Sequence, residues 1–254
     1  MKYIISILLK NVPRKYLQLF SHVLLKVVSI FYAGNKVQCP ICKKRFRNFL
    51  PYGRMARENA LCPNCLSLER HRLLWLFLNT KTDFFSSLKK VLHIAPEMCF
   101  IDRFEKIHKE NYITADIESP LAKIKLDVHD MPFPEGSFDV VFCNHVLEHV
   151  KDDLLAMKEI YRVLKPGGFA IAQIPEFHPI PKVTYEDHTI TDPKEREKHF
   201  GQDDHVRLYG KDYPERLRSA GFDVIEDHYI DKLSEEQQRL YALPKGEVIH
   251  FCKK

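Results

Sequence analysis

The chain has 254 residues, 45% of them hydrophobic and 11% aromatic, with a net charge of +5. That is enough apolar material for one large domain or a medium domain with an accessory module, and it excludes wholesale disorder and a miniature disulfide scaffold. The charge is unevenly spread: residues 1–90 hold seventeen Lys and Arg against three acids, while the remainder holds twenty-two against thirty-one. Such a basic field attracts an RNA, an anionic membrane surface or an acidic patch on a partner, unless it is simply a solvated surface. Seven cysteines, four of them in two Cys-x2-Cys pairs, fit a reducing compartment, with the cytoplasm as the expected location.

Met1 to Tyr32 mixes apolar residues with bases and contains no acid. Its longest charge-free runs, Tyr16 to Leu25 and Val27 to Asn35, fall far short of the roughly 20 apolar residues that a transmembrane helix needs. Tyr3 to Leu9 is too short, and lacks the small-residue cleavage site, for a signal peptide. Leu17, Phe20, Leu24, Val27 and Phe31 share one helical face, so residues 1–35 read as a basic amphipathic helical segment divided at Pro13. Through residues 1–32 it either lies on an anionic membrane as a peripheral contact or docks on the protein's own body.

Cys39-Pro-Ile-Cys42 and Cys62-Pro-Asn-Cys65 follow, nineteen residues apart. Two such turns facing each other make a closed tetrahedral set of four thiolates for structural zinc, with no open position for substrate. Phe46, Phe49 and Tyr52 are the expected core of this ribbon, and Leu66 to Leu78 its outgoing helix, giving a module over residues 36–80. The intervening KKRFRNFLPYGRMAR alternates bases with aromatics, which suits phosphate contact and base stacking or equally a solvated surface.

From residue 81 the chain alternates strands and helices. Val91 to Ile94 is a first apolar strand, Tyr112 to Ile117 a second that ends around Asp116, and Ile124 to Leu126 a third before Asp127. Phe138 to Cys143 is a continuous apolar run after the turn Pro134-Glu-Gly-Ser137, suited to a strand buried on both faces. Asp152 and Asp153 supply N-cap chemistry for a helix carrying Leu154, Leu155, Met157, Ile160, Tyr161 and Leu164, which stops at Lys165-Pro-Gly-Gly168. Phe169 to Ile174 is the next strand. This βαβ grammar predicts an α/β, doubly wound sheet.

Residues 175–210 break the alternation and read as a lid-like insertion beside the sheet. Its histidines His178, His188, His199 and His205 match no compact metal motif, and Gln202 to Gly210 is the part expected to reach the active site. Helices over Tyr213–Ala220 and Ser234–Leu243 and strands over Phe222–Ile230 and Glu247–Cys252 complete the reading.

Three pieces, in order, carry a family resemblance: Asp127 with Met131-Pro-Phe-Pro134, SFDVVFCNHVLEHV over 137–150, and Tyr161-Arg-Val-Leu-Lys-Pro-Gly-Gly168. They resemble a class I S-adenosylmethionine-dependent methyltransferase of type 11, over about Val91 to Lys253. The resemblance implies a Rossmann-like, mostly parallel seven-stranded sheet for residues 81–254, with the last two strands as its antiparallel edge, and S-adenosylmethionine as cofactor. Asp116, at the carboxyl end of the second strand, would accept hydrogen bonds from the ribose hydroxyls. Asp127 would meet the adenine amino group and the backbone at Val128 a ring nitrogen, while Asn144 and His145 follow the fourth strand at the cleft.

The turn after the first strand departs from the pattern. Ala95 and Glu97 stand where glycines are expected, and His93 where an acid is common. Glu97 pairs with the ammonium of the methionine moiety or else caps the next helix. His145 and His205 are the candidate bases, with Glu148 and His149 near enough in sequence to orient His145, and ordinary packing is the alternative for each. The leading expectation is methyl transfer to a small-molecule or saccharide acceptor. The alternatives are an rRNA-type methyltransferase using the zinc module for RNA, and a catalytically inactive zinc-ribbon adaptor of methyltransferase fold.

Overall fold

The computed structural model describes residues 25–53 and 56–254. Most of the amphipathic segment expected over 1–35 therefore lies outside the described residues. Among those described, no helix is long and apolar enough to cross a membrane. The chain divides into two compact units.

The first unit gathers the described residues up to Ser86 together with Glu97–Arg103 and His228–Glu247. Its cysteine pairs sit on turns beside two small antiparallel ladders, β1 (Ala33–Gln38) with β2 (Arg45–Phe46) and β3 (Leu50–Tyr52) with β4 (Arg57–Leu61). Phe46 and Phe49 are buried between them as expected, with ring centroids 5.9 Å apart, but Tyr52 is 47% exposed and is not part of that core. Tyr52 ends its short ladder at the turn through Gly53, where an edge position faces water. Helix α1 (Glu69–Lys81) starts three residues later than the sequence predicts, because Leu66 is taken up at φ 61° by the second cysteine turn. Arg72 on α1 is fully buried and donates to five carbonyls, those of Asn59, Ala60, Ser67, Tyr241 and Ala242. A guanidinium can be buried here because its fork of donors is answered by backbone oxygens.

The second unit, Ser87–Pro96, Phe104–Asp227 and Val248–Lys254, holds the expected seven-stranded sheet. Its strands are β5 (Val91–Ile94), β6 (Tyr112–Asp116), β7 (Ile124–Lys125), β8 (Phe138–Cys143), β9 (Leu164–Ile171), β12 (Asp223–Asp227) and β13 (Ile249–Lys253), in the order β12-β13-β9-β8-β5-β6-β7. All neighbours from β9 to β7 run parallel, and β13 is antiparallel to both β9 and β12. β5 is buried along its length, as suits the apolar Val91, Leu92 and Ile94. His93 lies inside this strand, with Nδ1 2.7 Å from the Tyr112 hydroxyl and its ring against Phe104 and Phe142. It belongs to the core, away from the turn.

Helix α2 (Met98–His108) follows β5, and α3 (Asp153–Val163) is capped as predicted, the Asp152 carboxylate accepting from the Leu155 amide. β9 begins at once after α3 and includes the Lys165–Gly168 stretch expected to be a turn. Gly168 permits this, since a Cβ there would meet the Asp139 carbonyl at 2.8 Å.

Residues 175–210 are more ordered than their sequence suggests. They carry β10 (Tyr185–Glu186) paired antiparallel with β11 (Arg207–Leu208), and a helix α4 (Pro193–Phe200) that the sequence reading missed. Its signals are present: the Asp192 carboxylate accepts from the Lys194 and Glu195 amides, Pro193 opens the helix and Gly201 closes it at φ 86°. Helix α5 (Tyr213–Ser219) leads into β12. The segment is tied down by Arg207, which is fully buried and donates to the carbonyls of Leu147, Val150 and Lys151 and to Glu186. Asp153 completes the network, with Arg216 at 2.6 Å, the Tyr209 hydroxyl at 2.8 Å and Arg207 at 3.8 Å.

Burial pushes the Asp153 carboxyl up, but the Arg216 hydrogen bonds, the Arg207 charge and the Tyr209 hydroxyl outweigh it and hold the group below its usual range. A carboxylate depressed on folding contributes stability above its unfolded pKa of roughly 4, and that contribution is lost as pH falls through the folded value. Asp153→Asn should therefore destabilise the protein near neutral pH by about 3 kcal/mol, as expected for a broken buried ion pair. The gap from wild type in urea unfolding should narrow towards pH ~3. A gap independent of pH would contradict this account.

Candidate functional site

The order of the parallel strands reverses between β5 and β8, and in doubly wound sheets the carboxyl ends around such a reversal form the binding crevice. Four of the residues singled out in the sequence stand at carboxyl strand ends of the second unit. Asp116 closes β6, and its Oδ1 accepts from the amides of Glu118 at 2.7 Å and Ser119 at 2.6 Å. That turn fixes the carboxylate while using only one of its oxygens. Asp127 lies two residues beyond β7, its Oδ1 accepting from the backbone N–H of His129 at 2.9 Å and contacting the ring Nδ1 at 2.6 Å. The His129 amide first and its ring second hold the Asp127 carboxyl below the usual range. His129 Nε2 in turn accepts from the Asp152 amide at 3.3 Å, so this histidine, overlooked in the sequence, orients Asp127. Val128 buries its side chain in the core, so only its backbone is available to a ligand.

Asn144 is buried immediately after β8, and His145 follows at φ 54° with its amide donating to the Gln173 carbonyl at 2.7 Å. Gln173 holds both sides of this crossing, donating to the Val248 carbonyl and accepting from the His250 amide, each at 2.7 Å. The β5 turn keeps the backbone shape of the missing glycine: Ala95 adopts φ 50°, and its amide donates to the Ala115 carbonyl at 2.9 Å. The sequence departs there in side chain and not in backbone path.

His145 and His205 come together through two intermediaries. His145 Nδ1 is 3.4 Å from Glu148 Oε1, and the rings of His149 and His205 meet edge to face at 4.8 Å. Glu148 is 1% exposed and His205 likewise 1%. Burial raises the Glu148 carboxyl, yet the His145 hydrogen bond and the neighbouring histidine charges carry it below its usual range. Burial lowers the pKa of the His205 imidazole.

Glu97 belongs to the first unit, where its carboxylate is 3.9 Å from His71 Nε2. The same unit assembles Cys39, Cys42, Cys62 and Cys65, whose sulfurs all lie within 4.8 Å of one another. Cys39 and Cys65 approach to 3.5 Å and Cys42 and Cys62 to 3.8 Å. A tetrahedral ion with ~2.3 Å bonds to sulfur has sulfur–sulfur edges of ~3.8 Å, so the set fits a four-thiolate zinc site. Both turns use a left-handed residue just after the pair, Lys43 at φ 63° and Leu66 at φ 61°, and none of the seven cysteines forms a disulfide.

A family model described as a methyltransferase domain matches residues 83–172. Among curated proteins, the chain is 36% identical to a demethylmenaquinone methyltransferase of Listeria monocytogenes over 69 residues, 27% of this chain and 29% of that protein. It is 44% identical to cycloartenol-C-24-methyltransferase of Arabidopsis thaliana over 59 residues, 23% of this chain and 18% of that protein. The matches thus span less than a third of the length of either relative. A solved putative methyltransferase of Bacillus halodurans is 20% identical with a TM-score of 0.44, covering 71% of this chain and 93% of that one.

A non-glycine residue in the left-handed region is strained by roughly 1 kcal/mol. Ala95→Gly should accordingly raise the urea midpoint, with a gain of about 0.5–1 kcal/mol. A lower midpoint would show that the Ala95 methyl packs usefully enough to outweigh the strain.

Proposed function

We propose that the chain is an S-adenosylmethionine-dependent methyltransferase acting on a small-molecule or saccharide acceptor. The observation that carries this reading is Asp116: a carboxylate at the carboxyl end of the strand beside the sheet reversal, fixed through one oxygen with the other outside the turn. The family match over residues 83–172 and two relatives named for the small-molecule acceptors demethylmenaquinone and cycloartenol support it. S-adenosylmethionine, when bound, supplies an electrophilic methyl group on a sulfonium. The residues that fit it are Asp116 for the ribose hydroxyls, Asp127 and the Val128 backbone for the adenine, and Asn144 at the crevice.

Methyl transfer depends on an in-line nucleophile in a largely dry site, so positioning is the main contribution expected of the protein. His145, held by Glu148, is the residue assigned to take a proton from a hydroxyl or ammonium acceptor. The lid-like segment 175–210 covers the acceptor in this reading. The module over residues 36–80 holds structural zinc through Cys39, Cys42, Cys62 and Cys65, a role supported by the all-sulfur donor set and its spacing.

Calorimetry of S-adenosylmethionine on the zinc-replete protein should show micromolar binding that Asp116→Ala weakens at least tenfold, ~1.4 kcal/mol. No binding by folded wild type would sink the cofactor assignment and favour an inactive adaptor of the same fold. For the cysteine site, about one zinc ion per chain should be released when a mercurial modifies the thiols, with loss of ordered structure in the module. Thiol modification without zinc release from protein purified in the absence of chelators would overturn the zinc assignment.

A further inference from the structure

The segments 144–151 and 204–207 are more than fifty residues apart in sequence, yet backbone and side chain fasten them together. The Val206 amide donates to the Glu148 carbonyl at 2.9 Å, and Arg207 donates to the carbonyls of Leu147, Val150 and Lys151. This clamp brings Glu148, His149 and His205 into one group, each offering a ligand atom within 4.8 Å of the others.

The tautomers point the same way. His205 Nδ1 is 3.1 Å from the Phe200 carbonyl and His149 Nδ1 is 3.3 Å from the Asp204 carbonyl. A carbonyl only accepts, so each Nδ1 carries a proton, and each Nε2 is the nitrogen that can serve as a metal ligand. This is the arrangement by which metal-binding histidines are held from behind. In front of them, His149 Nε2 is 3.9 Å from Glu148 Oε1. His205 Nε2 and Glu148 Oε2 are both buried without a hydrogen-bond partner, on side chains almost wholly shielded from water. Leaving a buried acceptor nitrogen and a buried carboxylate oxygen unanswered is costly unless something else occupies the space between them.

We infer that Glu148, His149 and His205 bind a divalent transition-metal ion, distinct from the four-cysteine site. Two imidazole nitrogens and one carboxylate oxygen suit zinc, cobalt, manganese or ferrous iron, and three protein ligands leave positions open for water or an oxygen of a bound small molecule. Tetrahedral ligands at ~2.1 Å from one ion stand ~3.4 Å apart, so atoms lying within 4.8 Å of one another draw together by up to about 1.4 Å on binding. His149 can make that movement, its side chain being 35% exposed while Glu148 and His205 are packed. The inference stands independently of the methyltransferase reading.

The test is a titration of full-length protein, already saturated with zinc at its thiols, with Co2+ followed by visible absorption and calorimetry. Wild type should take up about one further Co2+ per chain without the intense sulfur-to-metal charge-transfer band of a thiolate site. Glu148→Gln and His149→Ala should each weaken that uptake at least tenfold, ~1.4 kcal/mol. His199→Ala, which alters a partly exposed histidine of the same segment, should leave it unchanged. His149→Ala removes a half-exposed ring, so it keeps the test valid if Glu148→Gln compromises folding. Absence of a second Co2+ in wild type would overturn the inference, as would uptake indifferent to both His149→Ala and a folded Glu148→Gln.

Discussion

Arg207 is the constraint on which the second unit depends. A fully buried guanidinium is tolerated only if its donors find acceptors, and the acceptors here are three backbone carbonyls of the turn after β8 and the carboxylate of Glu186. Satisfying one side chain therefore determines where two distant stretches of chain must lie. The turn carrying His145, Glu148 and His149 cannot drift away from the segment carrying His205 without stranding a charge in the core. Arg72 solves the same problem in the first unit with carbonyls alone.

Charge balance around Arg207 is local. Asp153 opens α3, pairs with Arg216 and lies near Arg207, while Tyr209 donates to the same carboxylate. The result is a polar network inside an apolar sheet-and-helix sandwich in which the charged groups have opposite neighbours. Such networks are weak evidence for net stability but strong evidence for position, since each bond is directional and each loss leaves a buried group unpaired. That fits a segment of scattered prolines and little periodicity which nonetheless forms a ladder and a capped helix.

The carboxyl strand ends beside the reversal are built from ordinary turn chemistry. Asp116 and Asp127 each spend one oxygen on amides of the residues just after them, which holds the carboxylates at their strand ends. Ala95 and His145 take left-handed conformations at the ends of β5 and β8, the two strands between which the sheet reverses. Backbone strain at both sides of the reversal is tolerated because the flanking strands are buried and fully paired.

The amino-acid sequence by itself determined the sheet, the order of its elements, the cap at Asp152 and the pairing of the two cysteine turns. Each of these is governed by periodicity or by spacing over a few residues, which the chain displays directly. The limits of elements shifted by a few residues wherever a neighbour decided them, as when Gly168 let β9 run back to Leu164. Helix α4 was legible in Asp192, Pro193 and Gly201, but its short length and weak apolar pattern hid it among prolines. Only the tertiary structure decided that Tyr52 faces water, that His93 belongs to the core, and that Glu148, His149 and His205 share one place. These depend on burial or on contacts between residues more than fifty positions apart in sequence. They arise from burial and from the hydrogen-bond demands of side chains such as Arg207, and no local pattern encodes them.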